Sequence, residues 1–334
     1  MILVTGGTGL VGSQLLLKLT EKGNTVSAIY RSEESKLKTK SFFEMYDKGH
    51  LLNYIKWLPA DITDITSLEI AFNNIEYVYH CAAKISFNPN DELVLRKTNI
   101  EGTANIVNFC LAKNIKKLCY VSSITALGDL SENETIIDEE TEWNPEALHS
   151  DYGISKFGSE MEVWRGQQEG LNVVIVNPGI IFGPVPDSWD RSQGTFNIIT
   201  LVINGLKYYT QGSCGFVGNK DVATCMITLM ESEIKNERFI LIERNYSYRK
   251  ITTLIASKFN LPAPFKEVKP WMSTIAWVID LILSTLFFRK RKTSRELTST
   301  VQTKFAYSNS KIRTTLNYKF QSMTDVLEEI KEKY

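Results

Sequence analysis

The chain has 334 residues, 43% hydrophobic and 23% charged, a composition that excludes a disordered chain and fits one large or two coupled domains. Lysine plus arginine equals aspartate plus glutamate at 38 each, so no global field draws the protein to nucleic acid, and any anion site must be local. The five cysteines, Cys81, Cys110, Cys119, Cys214 and Cys225, form no CxxC pair, which argues against a metal and for a reducing compartment, the cytoplasm. Most sit in apolar runs and read as buried small hydrophobes.

Residues 2–5 read as a strand from the first turn of the chain, so no signal peptide is expected ahead of the fold. A helical pattern follows over 10–19 and a β-rich run over 25–30. Further short strands are predicted at 55–58, 77–80, 118–122 and 173–176, with helices at 67–73, 103–113 and 152–169 between them. Strands alternating with helices imply right-handed crossovers and an α/β fold of Rossmann topology, a doubly wound parallel sheet. After Pro178 the pattern weakens: residues 183–215 suggest loops and one helix, 239–242 a returning strand, and 322–334 a charged amphipathic helix. The predicted division is a dinucleotide domain over 1–178 and about 214–245, and a smaller C-terminal substrate-binding part over about 179–213 and 246–334.

Between the first strand and helix stands Thr5-Gly6-Gly7-Thr8-Gly9-Leu10-Val11-Gly12. Glycine permits the tight turn and close backbone approach to a pyrophosphate, and the next helix offers free N–H groups and a positive dipole end. The end of the second strand, Ile29-Tyr30-Arg31-Ser32, carries no carboxylate to hold a ribose 2′-hydroxyl. Arg31 suits a 2′-phosphate instead, with Lys36, Lys38 and Lys40 adding field or forming a solvated basic loop. NADP is therefore expected, with NAD the alternative. Asp61, ahead of Ile62, reads equally as an acceptor for the adenine amino group and as a helix N-cap. His80-Cys81-Ala82-Ala83 ends the fourth strand; the small residues let a cofactor lie against the backbone, and His80 reads as structural.

Tyr152 and Lys156 are four apart, on one face of a helix. A nearby cation favours the phenolate, so tyrosine can then trade protons near neutral pH. Ser122 and Ser123 end the fifth strand, where a hydroxyl faces the ligand crevice of an open α/β sheet, although two serines there also suit a turn or cap.

TGGTGLVG, HCAA, TNIEGT, YVSSITALG, YGISK and NPGIIFGP together resemble the extended short-chain dehydrogenase/reductase family, also called the NAD-dependent epimerase/dehydratase family, over nearly the whole chain. The resemblance implies Ser123, Tyr152 and Lys156 as catalytic residues, with Asn99 structural or relaying protons. It implies cofactor contacts from Thr5 to Gly12, from Arg31, Asp61, Ile62, Cys81, Ala82, Ala83 and Ser122, from Tyr152 and Lys156, and from Pro178, Gly179 and Ile181. Two positions depart from the family pattern. Asn177 stands where Arg is common before Pro-Gly, and the stretch 215–222 lacks the Arg of nucleotide-sugar members. Together with Tyr30-Arg31, this is similar to the dihydroflavonol-reductase and hydroxysteroid-dehydrogenase-like branch.

The expected activity is an NADP-dependent oxidoreductase moving hydride to or from a carbonyl or hydroxyl carbon, with Tyr152 as acid or base. The alternatives are a nucleotide-sugar epimerase or dehydratase that recycles its hydride, and a non-catalytic NADP sensor. Substrate contacts are expected around Phe87, 189–195 and Trp271. The partners are a small molecule, compatibly a second copy as homodimer, and no nucleic acid. Residues 271–288 precede Arg289-Lys290-Arg291-Lys292 and place Ser273, Thr274, Asp280, Ser284 and Thr285 opposite Ile275, Ile279, Ile282, Leu283 and Leu286. That pattern predicts an amphipathic helix packed on the core, with weak membrane-surface association through 271–292 as the second reading.

Overall fold

A computed structural model describes residues 1–130, 134–192, 194–269, 271–272, 275 and 299–334. The amphipathic segment 271–288 and its basic cluster therefore lie, except for residues 271, 272 and 275, outside the described residues.

Seven strands form the main sheet: β1 (Ile2–Thr5), β2 (Val26–Tyr30), β3 (Ile55–Pro59), β4 (Tyr77–His80), β5 (Lys117–Val121), β6 (Val173–Pro178) and β10 (Glu237–Leu241). Their order is β10-β6-β5-β4-β1-β2-β3 and every pairing is parallel. Helices cover both faces, which is why the central strands read as unbroken apolar runs; all six residues of β6 are buried. One face packs Leu15, Leu16 and Leu19 of α1 (Leu10–Glu21) and Phe42 and Phe43 of α2 (Glu33–Met45). The other packs Leu68 of α3 (Ile65–Ala71), Ile106 and Val107 of a helix over Gly102–Ala112, and Val163 of a helix over Asp151–Gln168. With the short helix α4 at Glu92–Leu95, these last two are α5 and α6.

The strand order reverses between β1 and β4. The carboxyl ends of an open α/β sheet form a crevice at such a reversal, and the glycine turn and the His80–Ala83 segment both lie there.

After β6 the chain builds a second unit outside the main sheet. It contains β7 (Ile180–Phe182), α7 (Phe196–Ile203), β8 (Tyr208–Tyr209) and β9 (Ser213–Gly218). Helix α8 (Asn219–Glu231) and β10 then return to the main sheet, before β11 (Arg244–Ser247), α9 (Tyr248–Lys258) and β12 (Lys266–Glu267) leave it again. A three-stranded sheet joins β11-β9-β7, and β12 pairs with β8. Two closing helices, α10 (Ser310–Leu316) and α11 (Met323–Glu332), bring Ile312 into the first core and Met323, Val326, Leu327 and Ile330 into the second.

Helix starts follow their caps. Asp64 accepts from Thr66 N and starts α3 two residues earlier than the apolar pattern suggests; Ser150 accepts from Gly153 N and Ser322 from Asp325 N. One local expectation is corrected. The segment of Lys36, Lys38 and Lys40 is not a basic loop but α2, because Ser32 and Ser35 close a reciprocal capping box and Phe42 and Phe43 bury one face. In α2, Lys36 pairs with Glu33 at 2.9 Å and Lys40 with Glu44 at 3.7 Å.

Candidate active site

The glycine loop is shaped by contacts that admit no side chain. Gly6 has φ +67°, and a Cβ there would lie 2.5 Å from Ala82 N; one at Gly12 would lie 2.1 Å from the Gly6 carbonyl oxygen. The loop is thus pressed against the end of β4 and braced by Ser13 Oγ and Thr39 Oγ1, which both donate to the Gly7 carbonyl. Gly9 is different. It has no positive φ, and the nearest protein atom to a Cβ there is 3.6 Å away, so neither strain nor packing asks for glycine. Gly9 is exposed at the start of α1, which no side chain caps, with Thr8, Leu10 and Val11 part-exposed around it. Free N–H groups with an open backbone in front of them fit a pyrophosphate.

Arg31 follows β2, is exposed, and has no partner among the described residues. Asp61 follows β3. Its Oδ1 accepts from Thr63 N at 2.9 Å and Thr63 Oγ1 at 2.8 Å, so it closes its own turn, while Asp64 caps α3. Ile62 is 4% exposed and turns its side chain into the core against Gly102. Cys81 and Ala82 are part-buried, Ala83 is exposed, and Ala82 N donates to Thr5 Oγ1 at 3.2 Å. Burial pushes the Cys81 thiol up to about 12 and the buried His80 imidazole down to about 3. His80 is therefore neutral, held by Thr5 Oγ1 at 2.6 Å and Thr103 Oγ1 at 3.0 Å, a structural histidine.

Ser123, Tyr152 and Lys156 come together where β5 ends against the first turns of α6. Ser123 Oγ accepts from Thr125 N at 3.2 Å and Thr125 Oγ1 at 2.9 Å, so its own hydrogen is free for another acceptor. It is the cap of a short turn and also stands beside the turn of α6 that carries Tyr152, so the two readings of the strand-end serines are compatible. Burial raises the Tyr152 phenol to about 12, opposed by the Ser123 bond, and burial lowers the Lys156 ammonium to about 7. Lys156 Nζ donates to Tyr120 Oη and to the Val121 carbonyl, each at 2.8 Å. The half-exposed Phe87 ring meets the Tyr152 ring edge-on, with centroids 5.7 Å apart.

Asn99 sits in a π-helical stretch, Arg96–Glu101, and all its polar atoms are engaged. Its Nδ2 donates to Ser155 Oγ and the Lys84 carbonyl, and its Oδ1 accepts from Lys84 N at 2.7 Å. Asn99 thereby ties the segment after β4 to the helix of Tyr152. Ser122 turns inward, donating to Glu160 Oε2 at 2.6 Å. Pro178 closes β6, Gly179 is locked by Gly215, whose carbonyl oxygen a Cβ would approach to 2.3 Å, and Ile181 in β7 is part-exposed.

Several supporting residues carry no signal in the sequence. Glu160 is fully buried on α6 and is met by Ser122, by Asn177 Nδ2 at 2.8 Å and by Arg238 Nη1 at 3.1 Å. The same Asn177 amide donates to the Ser123 carbonyl at 3.1 Å. Asn177 thus supports the site as a hydrogen-bonding residue, while the cation beside Glu160 comes from β10, sixty-one positions further along the chain. Trp189, expected in a substrate loop, instead donates to the Lys38 carbonyl at 3.1 Å and packs on Phe42.

With this geometry in place, a family model described as "NAD dependent epimerase/dehydratase family" matches residues 2–241. The chain belongs to the NAD-dependent epimerase/dehydratase family. Among its relatives is an anthocyanidin reductase of Arabidopsis thaliana, 30% identical over 285 residues, covering 79% of this chain and 83% of the relative. The family fold is also that of the UDP-glucose 4-epimerase of Thermotoga maritima, with TM-score 0.77 and 20% identity over 99% of this chain and 97% of that one. The yeast methylglyoxal/isovaleraldehyde reductase has TM-score 0.75 and 18% identity, again over 99% and 97%. The protein is therefore an enzyme of the epimerase/dehydratase superfamily with reductase relatives. No helix among the described residues is long and apolar enough to cross a membrane.

Proposed function

We propose that this enzyme is an NADP-dependent reductase of a small or medium hydrophobic ketone or aldehyde, working in reverse as an alcohol dehydrogenase. The observation that carries the reading is the placement of Ser123, at the end of β5, against the turn of α6 that carries Tyr152, one helical turn from Lys156. A bound nicotinamide supplies the hydride in this chemistry. Ser123, with its oxygen saturated by Thr125, donates to the substrate oxygen and orients the carbonyl. Tyr152 Oη gives that oxygen its proton, and Lys156, as ammonium, stabilises the phenolate left behind and holds the ribose.

Cofactor contacts are assigned to the loop Thr5–Gly12, Cys81, Ala82, Ala83, Pro178, Gly179 and Ile181, with Asp61 offering its free Oδ2 to the adenine side. Arg31 is assigned to the 2′-phosphate: it is exposed and without a partner, whereas Lys36 and Lys40 are already paired with glutamates. Residues of about 179–213 and 246–334 are assigned to the substrate. The reductase relatives and the missing arginine in 215–222 favour this reading over a hydride-recycling epimerase.

The test is a turnover screen of ketones, aldehydes and nucleotide sugars with NADPH and NADH. Carbonyl reduction with stoichiometric NADPH oxidation is expected. Conversion of a nucleotide sugar with no net change in cofactor absorbance would overturn the proposal.

A further inference from the structure

Two buried titratable groups beside Lys156, Tyr120 and His80, have no part in the proton transfer just described. Lys156 is 1% exposed, and Tyr120, on the neighbouring strand β5, is 1% exposed as well. Lys156 Nζ donates to Tyr120 Oη at 2.8 Å and lies 4.5 Å from the centre of its ring. Burial pushes the Tyr120 hydroxyl far up, so it remains a neutral phenol with a lone pair to offer.

The Tyr120 hydroxyl is itself held. Ser159 and Thr103 stand beside it and oppose its upward shift, and Ser159 donates its own hydrogen to the Ser155 carbonyl at 2.6 Å. Thr103 is bound by His80 Nε2, His80 Nδ1 by Thr5 Oγ1, and Thr5 Oγ1 takes the amide of Ala82 against the glycine loop. Beside the Lys156–Tyr120 pair, a buried chain thus runs from Thr103 of α5 through His80 of β4 to the end of β1. The titratable groups that face Lys156 are Glu160 on its own helix, His80 at the end of β4 with Cys81 just after it, and Tyr120 from β5. His80 is neutral and Cys81 protonated, and Glu160 is bonded to Ser122, Asn177 and Arg238.

We infer that Tyr120 is a positioning residue of this enzyme: its hydroxyl holds the Lys156 ammonium in place and charged, and the chain Thr103–His80–Thr5 holds Tyr120 in register with the cofactor loop. The inference rests on the reading of Lys156 as the lysine of the site. It also gives the polar groups inside β1, β4 and β5 a role that sheet packing does not demand, since an apolar core would cover the same surfaces.

Tyr120→Phe tests it, because the ring and its attraction for the cation stay while the acceptor goes. Two profiles are measured across pH 5–10, NADPH affinity by fluorescence titration and carbonyl reduction, with thermal unfolding alongside. Without the acceptor the ammonium is less favoured, so Lys156 loses its proton at lower pH. The alkaline limb of NADPH affinity should move down by about one unit and kcat fall about tenfold, with the KM for the carbonyl compound little changed. Thr103→Val, which loosens Tyr120 without removing its oxygen, should move the limb the same way by less. An alkaline limb that stays in place in both variants would overturn the inference, whatever happens to stability or to overall rate. If the unaltered protein binds NADPH but reduces no carbonyl compound, the proposed reaction fails while the affinity profile still decides the role of Tyr120.

Discussion

Asn177 Nδ2 lies 2.8 Å from Glu160 Oε2 and 3.1 Å from the carbonyl oxygen of Ser123, so one amide spans a fully buried carboxylate and the serine of the candidate site. Arg238 completes the arrangement from β10, with Nη1 on Glu160 and Nε on the Glu139 carbonyl at 2.7 Å. Removing one partner of a buried pair leaves an uncompensated charge, which typically costs about 3–5 kcal/mol. Arg238→Met is expected to lower stability by a large part of that amount in urea titrations. A loss below about 1 kcal/mol, the range of an exposed pair, would show that the pair does not brace the site.

Tyr152→Phe keeps the ring that meets Phe87 but removes the transferable proton. Turnover should fall to background while NADPH affinity changes little, as measured by steady-state kinetics and fluorescence titration. A near-normal kcat on a true substrate would rule out Tyr152 as the acid.

Thr125 holds the oxygen of Ser123 through both its N–H and its hydroxyl. Thr125→Val deletes the second bond in a nearly isosteric way. A hydrogen bond of about 1 kcal/mol corresponds to roughly a fivefold effect, so kcat should drop by about that factor with cofactor affinity unchanged. An unaltered kcat would mean that Ser123 needs no such brace.

Arg31→Ala should erase the preference for NADPH over NADH and leave NADH affinity nearly untouched. A charge-assisted bond to a phosphate contributes roughly 1.5–3 kcal/mol, about ten- to hundredfold in affinity. Equal affinity of the unaltered protein for the two cofactors would dispose of the assignment.

Lys156 also bears on stability. Burial lowers its pKa to about 7, against 10.5 for a free lysine. Between these values the unfolded chain binds a proton that the native chain does not, so native stability rises with pH across this window. The stability difference between Lys156→Met and the unaltered protein should therefore favour the variant most below about pH 7 and shrink steadily toward pH 10. A difference independent of pH would show that the ammonium is not buried at a cost.

Most of the main sheet and the shared helix face of Tyr152 and Lys156 were legible because both depend on short-range features. Buried parallel strands leave unbroken apolar runs, a phosphate turn needs glycines at fixed spacing, and a four-residue interval on one helix puts Tyr152 and Lys156 on a common face. The second unit was far less legible. Its strands are short, β8 and β12 only two residues each, and are defined by partners distant in sequence, as when Ser247 pairs with Ser213. Nor did the lysines after Arg31 announce their helix, since its start depends on a serine box and its burial on Phe42 and Phe43.

By itself the sequence determined the alternating architecture, the glycine turn and the common helix face of Tyr152 and Lys156, because each is written in local spacing and residue type. Only the tertiary structure decided that Ser123 caps the turn that faces Tyr152, that the cation for Glu160 comes from Arg238 rather than the position before Pro178, and that Lys156 rests on Tyr120. The last two contacts join helix α6 to the strands β5 and β10, 36 and 78 positions away along the chain, and a hydrogen bond across that separation leaves no periodicity to read.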